Sequence, residues 1–171
     1  MKQEYTEKWF NVSTESLIAQ IQLDFHPNLL KNVVSVMDLF DVVYTKHGKS
    51  DPQLARAYLL VSDFSYRIPL HILREEQIVF PLLLEIESGT AIVAKTLLRA
   101  MENEHHEDLA MIEELKKLTN HFQAPKNSCK SWKKLYQDLE RLFEDLQLHI
   151  AVEDEILFPR FQEKKGLKIA P

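Results

Sequence analysis

Hydrophobic residues recur every three or four positions along most of the chain, which is the spacing of amphipathic α-helices. A short stripe follows a capping serine or threonine at residues 13–14. A longer stripe runs through residues 29–43 and stops at residues 47–48. Because proline disfavours helical backbone in the residue before it, Pro27 predicts a kink or a fresh helix start at residues 24–27.

Three further stripes predict long helices. The first starts at Pro52, and the other two cover residues 91–118 and 129–158. Pro69 should bend the first of them, and Pro81 should weaken or end it. Since no stretch alternates with period two for long, we predict an all-α, up-down four-helix bundle with a short extra N-terminal helical segment. The predicted division is a tail at 1–12, the bundle at 13–163 and a tail at 164–171.

Composition narrows the class of protein. The chain has 171 residues, enough for one domain, and its 45% apolar content with three glycines is typical of long regular elements. A net charge of −5 argues against nucleic acid or an anionic membrane as partner. Cys129 is the only cysteine, which excludes a disulfide framework and a thiolate metal cluster. No apolar run approaches the ~20 residues of a membrane-spanning helix, so we expect a soluble cytoplasmic protein.

One segment occurs twice. Residues 71–81 read HILREEQIVFP and residues 149–159 read HIAVEDEILFP, at an offset of 149 − 71 = 78 residues. This offset suits a duplicated pair of long helices joined by a loop. Each copy opens with His-x-x-x-Glu, which places an imidazole and a carboxylate on one helix face. We interpret four positions of the two copies as core packing: Ile78, Phe80, Ile156 and Phe158.

Two more histidines extend the duplication. His26 and His105 lie on apolar helix faces 79 residues apart, so each half of the chain supplies two histidines and one glutamate. Sets of two histidines and one carboxylate with open positions are typical of non-haem iron. We therefore predict a dinuclear site with bridging glutamates, formed by His26, His71 and Glu75 from the first half and His105, His149 and Glu153 from the second.

The physical reason for a metal is the cost of burying these carboxylates among leucines and isoleucines. An unpaired buried charge costs several kcal/mol, and no lysine or arginine shares the predicted inner faces. Zinc is the alternative metal, but nitrogen and oxygen ligands without a thiolate favour iron or manganese. A metal-free bundle with hydrogen-bonded core histidines is the structural alternative. Other candidates are expected at the surface, at helix ends or beside the ligands: His47, His106, His121 and Glu102.

With these residues, the chain resembles a hemerythrin-like (HHE) protein. More narrowly, it resembles the di-iron repair-of-iron-centres family of ScdA-like and YtfE-like proteins. The matching pieces are Phe25–His26, both copies of the repeat, MENEHHE at residues 101–107 and CKSWKKLY at residues 129–136. Together they extend from about residue 9 to residue 161. The resemblance implies iron ligands at the six residues named above, and it implies that Glu104 is a carboxylate close to the metals.

The resemblance also implies a function. A pair of oxo- or hydroxo-bridged irons would help to restore iron–sulfur clusters damaged by nitric oxide or oxidants, either by reducing NO or by donating iron to client iron–sulfur proteins. Family members carry a small cysteine-containing N-terminal domain, which we expect this chain to lack.

Oxygen-carrying hemerythrins also resemble the chain and imply an alternative, an O2 or NO carrier or sensor without turnover. Those proteins use a fifth histidine, at the position of Leu109 here. Their last motif ends in an aspartate five residues after its histidine, so Asp154 competes with Glu153 as the bridging carboxylate.

Overall fold

A computed structural model describes residues 9–86 and 94–162. These residues form an all-α, up-down four-helix bundle preceded by a short helix, as predicted, and the described ranges contain no strand. The predicted tails lie largely outside the described residues, so the domain limits at residues 12 and 163 stay a prediction. The helices are α1 (Thr14–Gln20), α2 (His26–His47), α3 (Pro52–Arg74), α4 (Phe80–Ile86), α5 (Ala94–Leu118), α6 (Lys130–Val152) and α7 (Pro159–Gln162).

Local sequence explains where several helices begin. The Ser13 hydroxyl accepts a hydrogen bond from the backbone N–H of Ser16 at the start of α1. The Asp51 carboxylate accepts one from the N–H of Leu54, and Pro52 occupies the first position of α3, where a missing N–H costs nothing. Cys129 occupies the N-cap position of α6, as expected of a residue at a helix start.

The apolar stripes meet in two separate clusters. The large core lies between α2, α3, α5 and α6 and includes Phe40, Phe64, Ile112, Leu139 and Phe143. The small core lies towards the other end of the bundle and includes Ile21, Val79, Phe80, Leu98, Met101, Ile156 and Phe158. No helix in the described part of the chain is long and apolar enough to span a bilayer.

Three of the helical segments contain a π-helical turn. The turns are Ile21–Phe25, Glu75–Val79 and Glu153–Leu157, and a proline lies two residues after the end of each. A proline has no N–H and its ring clashes with the carbonyl four residues earlier, so a wider turn accommodates it. Pro81 was expected to weaken or end the helix. It does not end it, because the chain continues through the π turn into α4.

The two copies of the repeat differ in burial at one equivalent position. Ile78 is 54% exposed, so its prediction as core packing is wrong, whereas its neighbour Val79 is fully buried in the small core. The π turn does not account for this exposure, since Ile156 lies in the equivalent π turn and is buried. The other three predicted packing residues, Phe80, Ile156 and Phe158, are buried.

Candidate metal centre

Six titratable side chains form a polar layer between the large core and the small core. Each is at most 6% exposed. His26, for example, lies along the chain between Ile21 of the small core and Leu29 of the large core. The members of the polar layer are His26, His71, Glu75, His105, His149 and Glu153.

The π turns carry half of this layer. Glu75 and Glu153 are each the first residue of a π turn, and His26 directly follows the π turn Ile21–Phe25. His71 Nε2 lies 3.2 Å from Glu75 Oε1, and His149 Nε2 lies 3.1 Å from Glu153 Oε1. Each His-x-x-x-Glu pair therefore crosses the junction from α-helix to π turn, a feature found frequently at functional sites.

The donor atoms sort into two groups that share both glutamates. One group contains His26 and His149, the other contains His71 and His105, and within each group the donor atoms all lie within 4.8 Å of one another. His26 Nε2 is 3.2 Å from Glu75 Oε2, and His105 Nε2 is 3.4 Å from Glu153 Oε2. The arrangement suits two cations bridged by two carboxylates.

The two groups do not coincide with the two halves of the repeat. Each group takes one histidine from the first half of the chain and one from the second. The helices that supply each pair of histidines are in contact, α2 with α6 and α3 with α5, although α2 also contacts α3. The sequence left this pairing open.

A second set of carboxylates hydrogen-bonds to the Nδ1 atoms of three of the histidines and thereby orients their rings. His26 Nδ1 donates to Glu76 Oε1 at 2.8 Å, and His105 Nδ1 donates to Asp154 Oδ1 at 2.7 Å. With Nδ1 engaged in this way, the Nε2 lone pair of each ring is directed at the centre. Asp154 thus bonds to the outer side of a histidine, while Glu153 lies within the layer. The assignment of Glu153 as the bridging carboxylate stays a prediction.

Glu104 plays the same part for His71. Its carboxylate accepts from His71 Nδ1 at 2.9 Å and also from the guanidinium of Arg74. Burial opposes the change, but the hydrogen bond from His71 lowers the pKa of Glu104. Sequence reasoning placed Glu104 beside the metals through the family resemblance, and it missed Glu76. The available signal was that Glu76 and Asp154 occupy equivalent positions of the repeat.

His149 differs from the other three histidines. Among the described residues, nothing hydrogen-bonds to its Nδ1 atom, although the atom is fully buried. Its ring stacks on Phe25 with centroids 5.4 Å apart. Burial lowers the pKa of His149 to about 3, which keeps the ring neutral.

Hydrogen bonds among the described residues leave several atoms of the polar layer without a partner. Among the described residues, both oxygens of Glu75 and of Glu153 and the Nε2 atoms of His26 and His149 lack a hydrogen-bond partner. Burial, together with the charge of Glu75, raises the pKa of Glu153 to about 8. Buried polar atoms are normally paired, so these orphaned donor atoms, all facing one space, fit a pair of divalent cations.

The remaining candidate residues lie away from the layer. His106 and His121 are exposed, as expected. His47 Nε2 is 3.5 Å from Cys129 Sγ at the opposite end of the bundle. Leu109, at the position of the fifth hemerythrin histidine, packs against the large core. None of these residues belongs to either group of donor atoms.

Fold and site together define a four-helix bundle with a buried centre of residues that could hold cations. The chain belongs to the hemerythrin HHE cation-binding family, whose domain matches residues 32–161. This confirms the resemblance inferred from the repeat and the flanking motifs.

Curated relatives carry a more specific name. The chain is 32% identical over 157 residues to a Haemophilus influenzae protein named "Probable iron-sulfur cluster repair protein", an alignment that covers 92% of this chain and 69% of the relative. It is 28% identical over 154 residues to the iron-sulfur cluster repair protein ScdA of Staphylococcus epidermidis, covering 90% and 68%. With the iron-sulfur cluster repair protein YtfE of Escherichia coli it shares 39% identity over 90 residues, covering 53% and 40%.

Proposed function

We propose that the chain is a non-haem di-iron protein that acts in the cytoplasm in the repair of iron–sulfur clusters. The observation that carries the proposal is the pair of four-residue donor groups that share both glutamates. Iron is favoured over zinc because the donors are imidazole and carboxylate without thiolate. The names of the relatives support the repair context.

The residues of the chain have separate tasks in this proposal. His26 and His149 hold one iron and His71 and His105 hold the other, while Glu75 and Glu153 bridge the two. Glu76, Glu104 and Asp154 accept from the outer ring nitrogens and keep each Nε2 directed inward. The apolar cores pack above and below the layer.

The bound iron pair supplies exchangeable metal and open coordination positions for a diatomic ligand such as NO or O2. Iron donation to a damaged client and reduction of NO both use this property. We place donation first, because it requires only that the six donors bind and release a cation. The alternative from the hemerythrin resemblance is a carrier or sensor of O2 or NO.

Metal analysis tests the proposal directly. Protein expressed with ample iron and purified without oxygen should contain two irons per chain. His71→Ala and Glu153→Ala should each lower that content sharply, whereas His121→Ala, at an exposed position, should leave it unchanged. Equal loss of iron in all three variants, or less than one metal per chain in the unaltered protein, would refute the ligand assignment.

A second measurement separates the repair role from the carrier role. The iron-loaded protein is mixed with a cluster-depleted iron–sulfur protein, a sulfide source and a reductant, and cluster formation is followed by visible absorption. Transfer of iron supports repair. A protein that retains its iron but forms a stable adduct with NO supports the carrier or sensor.

A further inference from the structure

The outer carboxylates follow the internal duplication of the chain. Glu76 and Asp154 are 78 residues apart, and each directly follows a glutamate of the polar layer. Their partners, His26 and His105, are equivalent residues of the two halves. Two of the three outer hydrogen bonds are therefore related by the pseudo-symmetry of the bundle.

The other two positions break this symmetry. Glu104 directly precedes His105 and accepts from His71 Nδ1 at 2.9 Å. The residue that directly precedes His26 is Phe25, and its ring stacks on His149, the equivalent of His71. Position 25 thus carries a phenyl group where the equivalent position 104 carries a carboxylate, and His149 Nδ1 has no partner among the described residues.

The two cavities beside the polar layer also differ, in the charged residues that line them. A cavity of ≈ 390 Å³ reaches His149, and Asp24, Asn28, Asn32 and Asp145 line it together with Phe25 and three leucines. No lysine or arginine is among the described residues that line it. Carboxylate and amide oxygens suit a partly hydrated divalent cation.

The opposite cavity is smaller, ≈ 200 Å³, and it reaches His71. Two arginines line it. Arg74 pairs with Glu104, and Arg67 pairs with Asp108 at 2.9 Å. The guanidinium groups thus pair with two of the three carboxylates that line this cavity, and Glu107 is the third.

We propose that the two metal positions are unequal: the ion held by His26 and His149 is the exchangeable one and passes through the cavity lined by Asp24 and Asp145, whereas the ion held by His71 and His105 is retained. This inference rests on the proposed function. Phe25 and Glu104 are the positioning residues that set the difference, since the loss of a hydrogen-bond partner behind a ligating histidine weakens metal affinity about 10–100-fold.

Iron release to a ferrous chelator tests the difference. The reduced, loaded protein should lose its two irons in two phases of equal amplitude. Phe25→Glu supplies the missing carboxylate and should slow the fast phase about tenfold or more while leaving the slow phase unchanged. The matched exchange Glu104→Phe should accelerate the slow phase by a similar factor. Asp24→Asn combined with Asp145→Asn should slow only the fast phase.

A crystallographic measurement identifies the ion without any substitution. Crystals of the unaltered protein soaked briefly in chelator should retain anomalous density between His71 and His105 and lose it between His26 and His149. The reverse occupancy would overturn the inference, as would a single release phase for both ions or a fast phase that Phe25→Glu does not slow. A purified chain that binds no iron refutes the proposed function itself, whereas a chain that binds two irons and releases them together refutes only this inference.

Discussion

Two neighbouring layers of the bundle satisfy their side chains in opposite ways. In the large core, Phe64 and Phe143 pack edge to face with centroids 5.7 Å apart, and both are almost fully buried. In the polar layer, Glu75 and Glu153 are equally buried, yet their oxygens lack hydrogen-bond partners among the described residues. The core is therefore complete with protein atoms alone, whereas bound cations could satisfy the donors of the polar layer.

This difference shows where stability and function are divided in the molecule. Burial of apolar surface stabilises the fold through the two cores. Burial of unpaired polar atoms in the layer between them costs free energy in the metal-free protein. The layer is thus an expected source of instability that metal binding relieves, because a ligand that binds only the folded state stabilises it.

The largest effect should come from the large core. Phe64→Ala should lower the free energy of unfolding by about 3–5 kcal/mol, since it removes a fully buried ring and leaves a cavity. Chemical denaturation of the metal-free and loaded forms measures the loss, which should be the same in both. Iron content per folded chain should stay at the unaltered value. If Phe64→Ala also emptied the metal centre while the chain remained folded, the two layers would not be independent.

A change in the polar layer should have the opposite sign. Burial raises the pKa of Glu153 to about 8, so Glu153→Gln should stabilise the metal-free protein at pH 8 by on the order of a few kcal/mol, while lowering its iron content. Denaturation of the chelator-treated protein gives the stability, and metal analysis gives the content. Glu155→Gln, an exposed position two residues along, serves as the control and should change neither. A loss of stability in metal-free Glu153→Gln would show that the carboxylate is satisfied without a cation.

The pH dependence of the metal-free protein should sharpen the same contrast. Burial opposes the change, but the charge of Glu75 raises the pKa of His71 to about 10, and burial raises the pKa of Glu153 to about 8. Between pH 6.5 and 8 the folded chain therefore binds more protons than the unfolded chain. Its stability should fall as pH rises through this window, by on the order of 1 kcal/mol per pH unit.

Loaded protein should behave differently in that window. Metal binding requires deprotonated ligands and becomes stronger as pH rises, so the melting temperature of the loaded form should hold steady or increase from pH 6.5 to 8. In the metal-free protein, the low pKa of His149 makes the stability rise with pH around and below pH 6.5. There the unfolded imidazole binds a proton that the buried ring does not. Parallel pH slopes for the two forms would contradict the picture of a layer that protons satisfy poorly.

Helical periodicity predicted most of the architecture, because it is a local property of the chain. The i and i+4 spacing of His71 and Glu75, and the 78-residue repeat, were sufficient to select six residues that the structure brings into one layer. Their role as metal ligands stays a prediction. Periodicity failed at Ile78, which is exposed although the equivalent Ile156 is buried, because a repeat in the sequence does not determine which neighbouring element covers each copy.

The amino-acid sequence by itself determined the helical fold, the internal duplication and the type of donor atoms, because each depends on the order of residues within one or two helices. Only the tertiary structure decided which histidines share a position, that Glu153 rather than Asp154 lies within the layer, and that Phe25 stands where a carboxylate would complete the symmetry. These features depend on how α2, α3, α5 and α6 pack against one another. Contacts between helices far apart in sequence leave no periodic signal in a single chain.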